Sequence, residues 1–384
     1  MKIDKNNFCM APFREVVVET NGTLLPCCEY KYPPPKHQSL NHFDQFDTWY
    51  SDELGQLRQR MLDNQPDPGC NYCKSKEQIP GQAHLRPYIN GKYAEQVPWV
   101  QPLSPRIDFL EIRFGNYCNL GCIMCGAYAS STIASEYIRH ESTFVQNGFQ
   151  LHDSQRHTLK TVRWWEEPGA LDRLYTIARG ARYIHFTGGE PMMIPEVVDI
   201  LNAMDADRVI KVSMNSNMTR FTDRAYQAFE RFQLVHINAS MEGVAEHNDY
   251  VRHGSDWSQI TETVERLRTM PNVNIMPVHV LQHTSIFALP RLRTYCESVG
   301  LQLKCSEVYH QSAHGNITRD SASPVDVQRF RDYLNDNPEP TFQAWIDKYQ
   351  FDPVRHAGFH RYVNMLDSIR GTNFDSTFNP TWMD

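Results

Sequence analysis

From about residue 107 onward the chain repeats one pattern. A short run of apolar and β-branched residues is followed by a turn rich in glycine and polar side chains, and then by apolar positions at helical spacing. Leu110-Glu111-Ile112-Arg113-Phe114 alternates with period two, as a half-buried strand does. The same criteria predict strands over 108–114, 183–187, 209–214, 234–240, 274–281 and 302–308. Helical spacing covers 127–138, 195–204, 223–232, 257–269 and 289–298. Strands and helices in strict alternation predict βα units, so the expected fold class is α/β with six strands forming a partial barrel.

Upstream, residues 14–20 alternate, Asn21-Gly22 suits a two-residue hairpin turn, and residues 23–26 lead back to Cys27-Cys28. A Pro-rich loop at 33–35 precedes a helix predicted over 47–63, with Leu54, Leu57 and Met61 on one stripe. Residues 81–105 hold four prolines and little periodicity, the composition of a linker. Residues 144–168 form a polar, histidine-bearing insertion ending near Trp164-Trp165, expected as a lid or substrate wall or as a plain surface loop. Beyond Ser321 the spacing is helical, with Phe330 and Leu334 on one stripe and Tyr362, Met365, Leu366 and Ile369 on another. The expected organisation is a small cysteine-rich β-hairpin and helix domain (1–85), a linker (86–106), the barrel (107–310) and a helical C-terminal extension (311–384).

Composition narrows the function. The 384 residues suffice for one barrel with a satellite domain, and 41% apolar content is that of a globular chain. No apolar run is long enough for a membrane span, and Met1-Lys2-Ile3-Asp4-Lys5 has no apolar stretch behind its charges, so a cytoplasmic protein with no membrane partner is expected. In that compartment ten cysteines point to metal rather than to disulfides. A formal charge of −7 disfavours a nucleic-acid partner, which selects a basic face.

Cys118, Cys122 and Cys125 stand at C-x3-C-x2-C spacing just after a predicted strand. Three thiolates can hold three irons of a 4Fe–4S cube and leave the fourth iron without a protein ligand, open to chemistry; a zinc knot or three unrelated cysteines is the plainer alternative. Thr187-Gly188-Gly189-Glu190-Pro191 follows the second barrel strand, where glycines let the backbone come close to a ligand. Asn215-Ser216-Asn217 follows the third and offers amides and a hydroxyl to ribose hydroxyls, or simply an Asx-type turn. Ser240-Met241-Glu242-Gly243 ends the fourth, and Arg252 lies twelve residues after Ser240.

Together these motifs resemble the radical S-adenosylmethionine (SAM) superfamily over roughly 107–309. The resemblance implies a (β/α)6 TIM-type partial barrel and a 4Fe–4S cluster on Cys118, Cys122 and Cys125. It also implies that Gly188, Gly189 and Glu190 hold the SAM amino group, Ser240 the ribose and Arg252 the carboxylate. The activity implied is reductive cleavage of SAM to a 5′-deoxyadenosyl radical that abstracts hydrogen from substrate. Glu242 stands where the family more often has aspartate, and Met124 where an aromatic often precedes the third cysteine; both changes bear on cofactor packing.

The hairpin turn would bring Cys9 near Cys27, and the helix that follows ends at Cys70-Asn71-Tyr72-Cys73. Four thiolates suit zinc or a 4Fe–4S cluster. The pattern resembles the twitch and SPASM auxiliary-cluster modules, here ahead of the barrel as in a branch with an N-terminal twitch domain. It implies a second 4Fe–4S cluster on Cys9, Cys27, Cys70 and Cys73, with Cys28 a spare thiol or a substitute for Cys27. Leu366-Asp367-Ser368-Ile369-Arg370-Gly371 resembles the C-terminus of that branch. Cys305, sharing a strand face with Leu303 and Glu307, is a candidate hydrogen-atom donor to a substrate radical or a small apolar filler, and Cys296 is expected in the core. The partners implied are a flavodoxin- or ferredoxin-type reductant and a peptide or sugar/aminocyclitol substrate that is oxidised, cross-linked or cyclised. The rivals are epimerisation with Cys305 as donor and, in another class, a non-catalytic iron–sulfur electron carrier or zinc-binding module.

Overall fold

The computed structural model describes residues 7–31, 40, 52–78, 85–95, 106–307 and 317–378. They form an α/β fold with a mostly parallel sheet. The strands are β1 (Glu15–Val18), β2 (Leu24–Leu25), β3 (Phe109–Phe114), β4 (Gly121–Cys122), β5 (Tyr183–Gly188), β6 (Lys211–Ser216), β7 (Val235–Ser240), β8 (Arg252–His253), β9 (Val273–Leu281) and β10 (Lys304–Glu307). The loop expected at 33–35, the first residues of the helix expected from 47, all of 96–105 and the end of the sixth barrel strand at 308 lie outside the described residues.

The chain divides into two compact units. One comprises Met1–Gly115, Val162–Met214 and Gln227–Val235, the other Asn116–Thr161, Asn215–Tyr226 and His236–Asp384. In the first unit the strand order is β2-β1-β3-β5-β6. The N-terminal hairpin is therefore not limited to its own two strands. β1 pairs antiparallel with β2 and parallel with β3, Glu15 opposite Phe109 and Val18 opposite Ile112. All four β1 residues, Glu-Val-Val-Val, are buried, which a strand achieves only when both of its faces are covered.

The alternation noted in the sequence sorts this unit's sheet into two faces. Leu110, Ile112 and Phe114 of β3, Ile184 and Phe186 of β5, and Val212 and Met214 of β6 are buried. Trp164 stacks on Phe114 at 5.3 Å, Trp165 meets the same ring edge-on, and Trp164 Nε1 donates to Arg113 O at 3.0 Å. The two tryptophans at the end of the insertion are therefore core residues of this unit rather than a lid. The other face is polar. Arg113 bonds Glu111 and Glu19 at 2.8 Å each, and His185 Nδ1 lies 2.9 Å from Ser213 Oγ.

Within the stretch expected as linker, Leu85–Lys92 is a helix with Ile89 buried. At its end Lys92 Nζ lies over the Tyr93, Phe109 and Tyr183 rings and 3.8 Å from Glu15.

In the second unit the order is β7-β9-β10, with β9 and β10 parallel from Val278 opposite Lys304 to Leu281 opposite Glu307. Helices Ser131–Arg139, Ser285–Ser298, Pro324–Asp336, Pro340–Ile346 and Pro353–Arg370 pack one hydrophobic cluster, so the C-terminal extension contributes core to this unit. No helix among the described residues is long and apolar enough to cross a membrane.

Candidate active site

The loop 117–126 is fastened by its own hydrogen bonds. Ser130 caps the helix Ser131–Arg139, accepting from Ile133 N at 3.2 Å and donating to Leu120 O at 2.7 Å. This cap also explains why the helix begins four residues later than the apolar spacing predicts. The Ser131 and Thr132 hydroxyls donate to Cys118 O at 3.2 and 2.7 Å. Cys125 N donates to Cys122 O at 3.1 Å, and Tyr362 Oη donates to Ile123 O at 3.3 Å from the helix Pro353–Arg370. Arg370, in the C-terminal run that carried no assigned role, bonds Glu136 through both carboxylate oxygens at 2.8 and 2.7 Å. A Cβ on Gly121 would stand 3.2 Å from Arg370 Nη2, so the missing side chain leaves room for the guanidinium.

β4, which holds Cys122, pairs antiparallel with β8, which holds Arg252. The register puts Arg252 Nη1 3.7 Å from Cys122 Sγ and Nη2 2.7 Å from Glu242 Oε1, all three side chains being buried. Glu242 Oε2 accepts from Val280 N at 3.0 Å and from Gln282 Nε2 at 3.5 Å. His279 Nδ1 lies 3.2 Å from both Met241 O and Glu242 Oε2, two acceptors, so the proton is assigned to Nδ1. Burial then holds this imidazole neutral by lowering its pKa. Arg252 Nε and Gln282 Oε1 are buried with no hydrogen-bond partner among the described residues. A hydrogen bond from Cys125 lowers the Cys122 thiol pKa against burial, helped by Arg252, while the same bond and burial push Cys125 up.

Asn217 Nδ2 donates to Asn119 Oδ1 at 3.0 Å, Asn119 Nδ2 to Thr219 Oγ1 at 3.0 Å and Thr219 Oγ1 to Asn217 Oδ1 at 2.6 Å, a closed ring that braces the residue after Cys118. Ser216 Oγ accepts from Met218 N at 3.0 Å and Asn217 Oδ1 from Thr219 N at 3.1 Å, the side-chain turns foreseen as the alternative to ribose contact. Asn215 is exposed and accepts from Asn238 at 2.8 Å, and Ser240 is half-buried.

In its own unit, Gly188 ends β5 at a φ of +114°, and a Cβ there would meet Phe114 N at 2.9 Å. Gly189 N donates to Gly115 O at 3.1 Å, and buried Glu190 accepts from Met192 N at 3.1 Å, capping a short turn.

Residues 112–282 match the Radical SAM superfamily. The chain therefore carries a radical SAM domain. It is similar to SuiB of Streptococcus suis bound to S-adenosylmethionine, at 12% identity and a TM-score of 0.38 over 84% of this chain and 67% of that one. It is similar to the same protein bound to precursor peptide SuiA, at 11% and 0.40 over 87% and 69%, and to anSMEcpe with bound AdoMet, at 15% and 0.35 over 60% and 59%. No curated protein matches the chain in sequence.

The remaining cysteines fall into two groups. In the first unit Cys9, Cys27, Cys70 and Cys73 line one cavity of about 30 Å³, together with Lys74 and Arg86. Burial raises all four thiols, so a metal binding there displaces protons. Cys28 does not line the cavity. Its thiol, raised by burial to about 12, responds next to Glu111 and Arg113, whereas Cys27 responds next to Cys9. Of the five N-terminal cysteines, Cys9, Cys27, Cys70 and Cys73 thus line this cavity and Cys28 lies apart from it.

In the second unit Cys305 is half-buried and, with Leu303, packs on the hydrophobic cluster that also takes Cys118, Cys122 and Cys125; Cys296 is core. Among the described residues no three His, Cys, Asp or Glu side chains are arranged to hold a single metal ion. Asn119, Thr219, His279, Gln282, Tyr362 and Arg370 were not singled out as site residues. Only the strand-end position of Gln282, directly after the fifth barrel strand, could have flagged one of them.

Proposed function

We propose that the protein is a radical SAM enzyme that abstracts hydrogen from an unactivated carbon of a peptide or sugar/aminocyclitol substrate, yielding an oxidised, cross-linked or cyclised product. The observation that carries this reading is the buried Arg252 guanidinium. It stands 3.7 Å from Cys122 Sγ and keeps Nε without a partner among the described residues, a donor and a positive charge that suit a carboxylate. Cys118, Cys122 and Cys125 would hold a 4Fe–4S cluster, which supplies the electron for SAM cleavage when bound. The chain's residues bind and orient: Arg252 takes the SAM carboxylate, Gly188 to Glu190 the amino group, and Ser240 with Asn215 to Asn217 the ribose. Cys9, Cys27, Cys70 and Cys73 would hold a second cluster, for which the shared cavity and four sulfur donors speak. A flavodoxin- or ferredoxin-type protein is the expected reductant and the cytoplasm the expected compartment.

The test is anaerobic reconstitution. The chain should bind about eight irons and form 5′-deoxyadenosine from SAM. Cys118→Ala with Cys122→Ala and Cys125→Ala should abolish that product, and Cys9→Ala with Cys70→Ala should leave one cluster. Zinc beside a single cluster would remove the auxiliary cluster from this reading, and SAM left intact would remove the enzyme.

A second reading, epimerisation, has one observation in its favour. Cys305 packs on the hydrophobic cluster that also takes Cys118, Cys122 and Cys125, and burial raises its thiol further, so it keeps the S–H that a hydrogen-atom donor needs. In that case Cys305→Ala should still yield 5′-deoxyadenosine but no epimer, and product made in D2O should carry one solvent deuterium. Full turnover by Cys305→Ala without deuterium would leave oxidation standing.

A further inference from the structure

Arg252 is placed for more than one task. Its Nη1 points at the sulfur of a cysteine in the three-cysteine loop at 3.7 Å, its Nη2 is tied to Glu242 at 2.7 Å, and its Nε is buried without a partner among the described residues. Glu242 is fully buried, and each of its oxygens has a fixed donor: Arg252 on Oε1, Val280 N on Oε2 with Gln282 Nε2 at the edge of bonding distance. His279 Nδ1 completes the set at 3.2 Å from Oε2. A buried carboxylate fixed at both oxygens cannot turn, so it sets the plane in which the guanidinium lies. It also cancels a charge that would otherwise act on the sulfur. Hydrogen bonds to ligand sulfur and the net charge beside it tune the potential of an iron–sulfur site.

We propose that Glu242 is a positioning residue that divides one guanidinium between the Cys122 sulfur and the carboxylate of the bound cofactor, so that the cluster's reduction potential and cofactor binding are coupled through Arg252. The inference rests on the reading of Cys118, Cys122 and Cys125 as cluster ligands. Because binding free energies are reciprocal, SAM must bind the two oxidation states of the cluster with different affinity, in the ratio by which it shifts the potential. Arginine is required for the division. A lysine ammonium is a single point of charge and cannot offer one edge to sulfur and another to a carboxylate.

The experiment is an EPR-monitored redox titration of the reconstituted protein, with and without saturating SAM, on wild type, Glu242→Gln, Glu242→Asp and Arg252→Lys. Glu242→Gln keeps the shape and removes the charge, leaving the guanidinium uncompensated beside Cys122. Its SAM-free potential should rise above wild type at equal iron content, while Glu242→Asp, which keeps the charge, should return toward wild type. SAM should shift the potential of wild type and shift that of Arg252→Lys less. A SAM-free potential unchanged in Glu242→Gln, or an equal SAM-induced shift in Arg252→Lys, overturns the proposal. So does a loss of iron and of thermal stability in Glu242→Gln and Glu242→Asp alike with the potential per remaining cluster unmoved, because that is the mark of a merely structural carboxylate. Failure of the underlying reading looks different: wild type itself would show no cluster signal that depends on Cys118, Cys122 and Cys125.

Discussion

Gly188 shows how one missing side chain fixes a motif. Its φ of +114° is a region that other residues rarely enter, and an added Cβ would press on Phe114 N at 2.9 Å and Gly115 O at 3.0 Å, backbone atoms at and just past the end of the neighbouring strand. Neither can move without parting β3 from β5. Gly188→Ala should therefore lose about 2 kcal/mol or more of stability, measured by denaturant unfolding, and a loss below about 0.5 kcal/mol would mean that this strand end yields freely. The cysteine spacings, this glycine pair and Arg252 were legible because each is a local pattern or a fixed offset. Their supports were not: Tyr362 reaches Ile123 across 239 positions and Arg370 reaches Glu136 across 234, and no periodicity in a sequence encodes which polar side chain will meet which at that range. Asn217 was legible as a polar strand-end residue, but the ring it closes with Asn119 and Thr219 depends on a contact across 98 positions.

Elements were legible where burial alternates. The six barrel strands fall within about two residues of their predicted starts, and β5, β6 and β7 show why, each placing apolar side chains on one face and polar ones on the other. Two elements were misjudged for identifiable reasons. The helix Leu85–Lys92 hides behind Pro87, which marks a break inside a helix but is harmless in the first turn, where the missing N–H has no partner to lose. The turn Trp164–Glu166 sits in a polar stretch that looks like surface, yet two adjacent indoles are enough to fasten it. Trp164 is nearly inaccessible, stacks on Phe114 and bonds Arg113 O. Trp164→Ala should cost about 3–5 kcal/mol in equilibrium unfolding, whereas a lid residue exposed to solvent would cost almost nothing when truncated.

For the molecule as a whole, the expected α/β class holds, and the radical SAM domain spans 112–282. Spacing could not reveal that the cysteine-rich N-terminal segment shares a sheet with β3, because partnership along a strand edge leaves no mark on the sequence of either strand. That partnership limits how the protein can be cut down. β1 is the cover on an edge: without it, β3 would present a row of unpaired amides and carbonyls flanked by Leu110 and Ile112, a template for any other extended chain. A version lacking residues 1–31 should therefore self-associate on size-exclusion chromatography at concentrations where the full chain does not, even with Cys118, Cys122 and Cys125 intact. If it instead elutes as the full chain does with its melting temperature unchanged, the hairpin is dispensable. Otherwise the N-terminal cysteines come with a guard against aggregation, and the two cannot be inherited or removed separately.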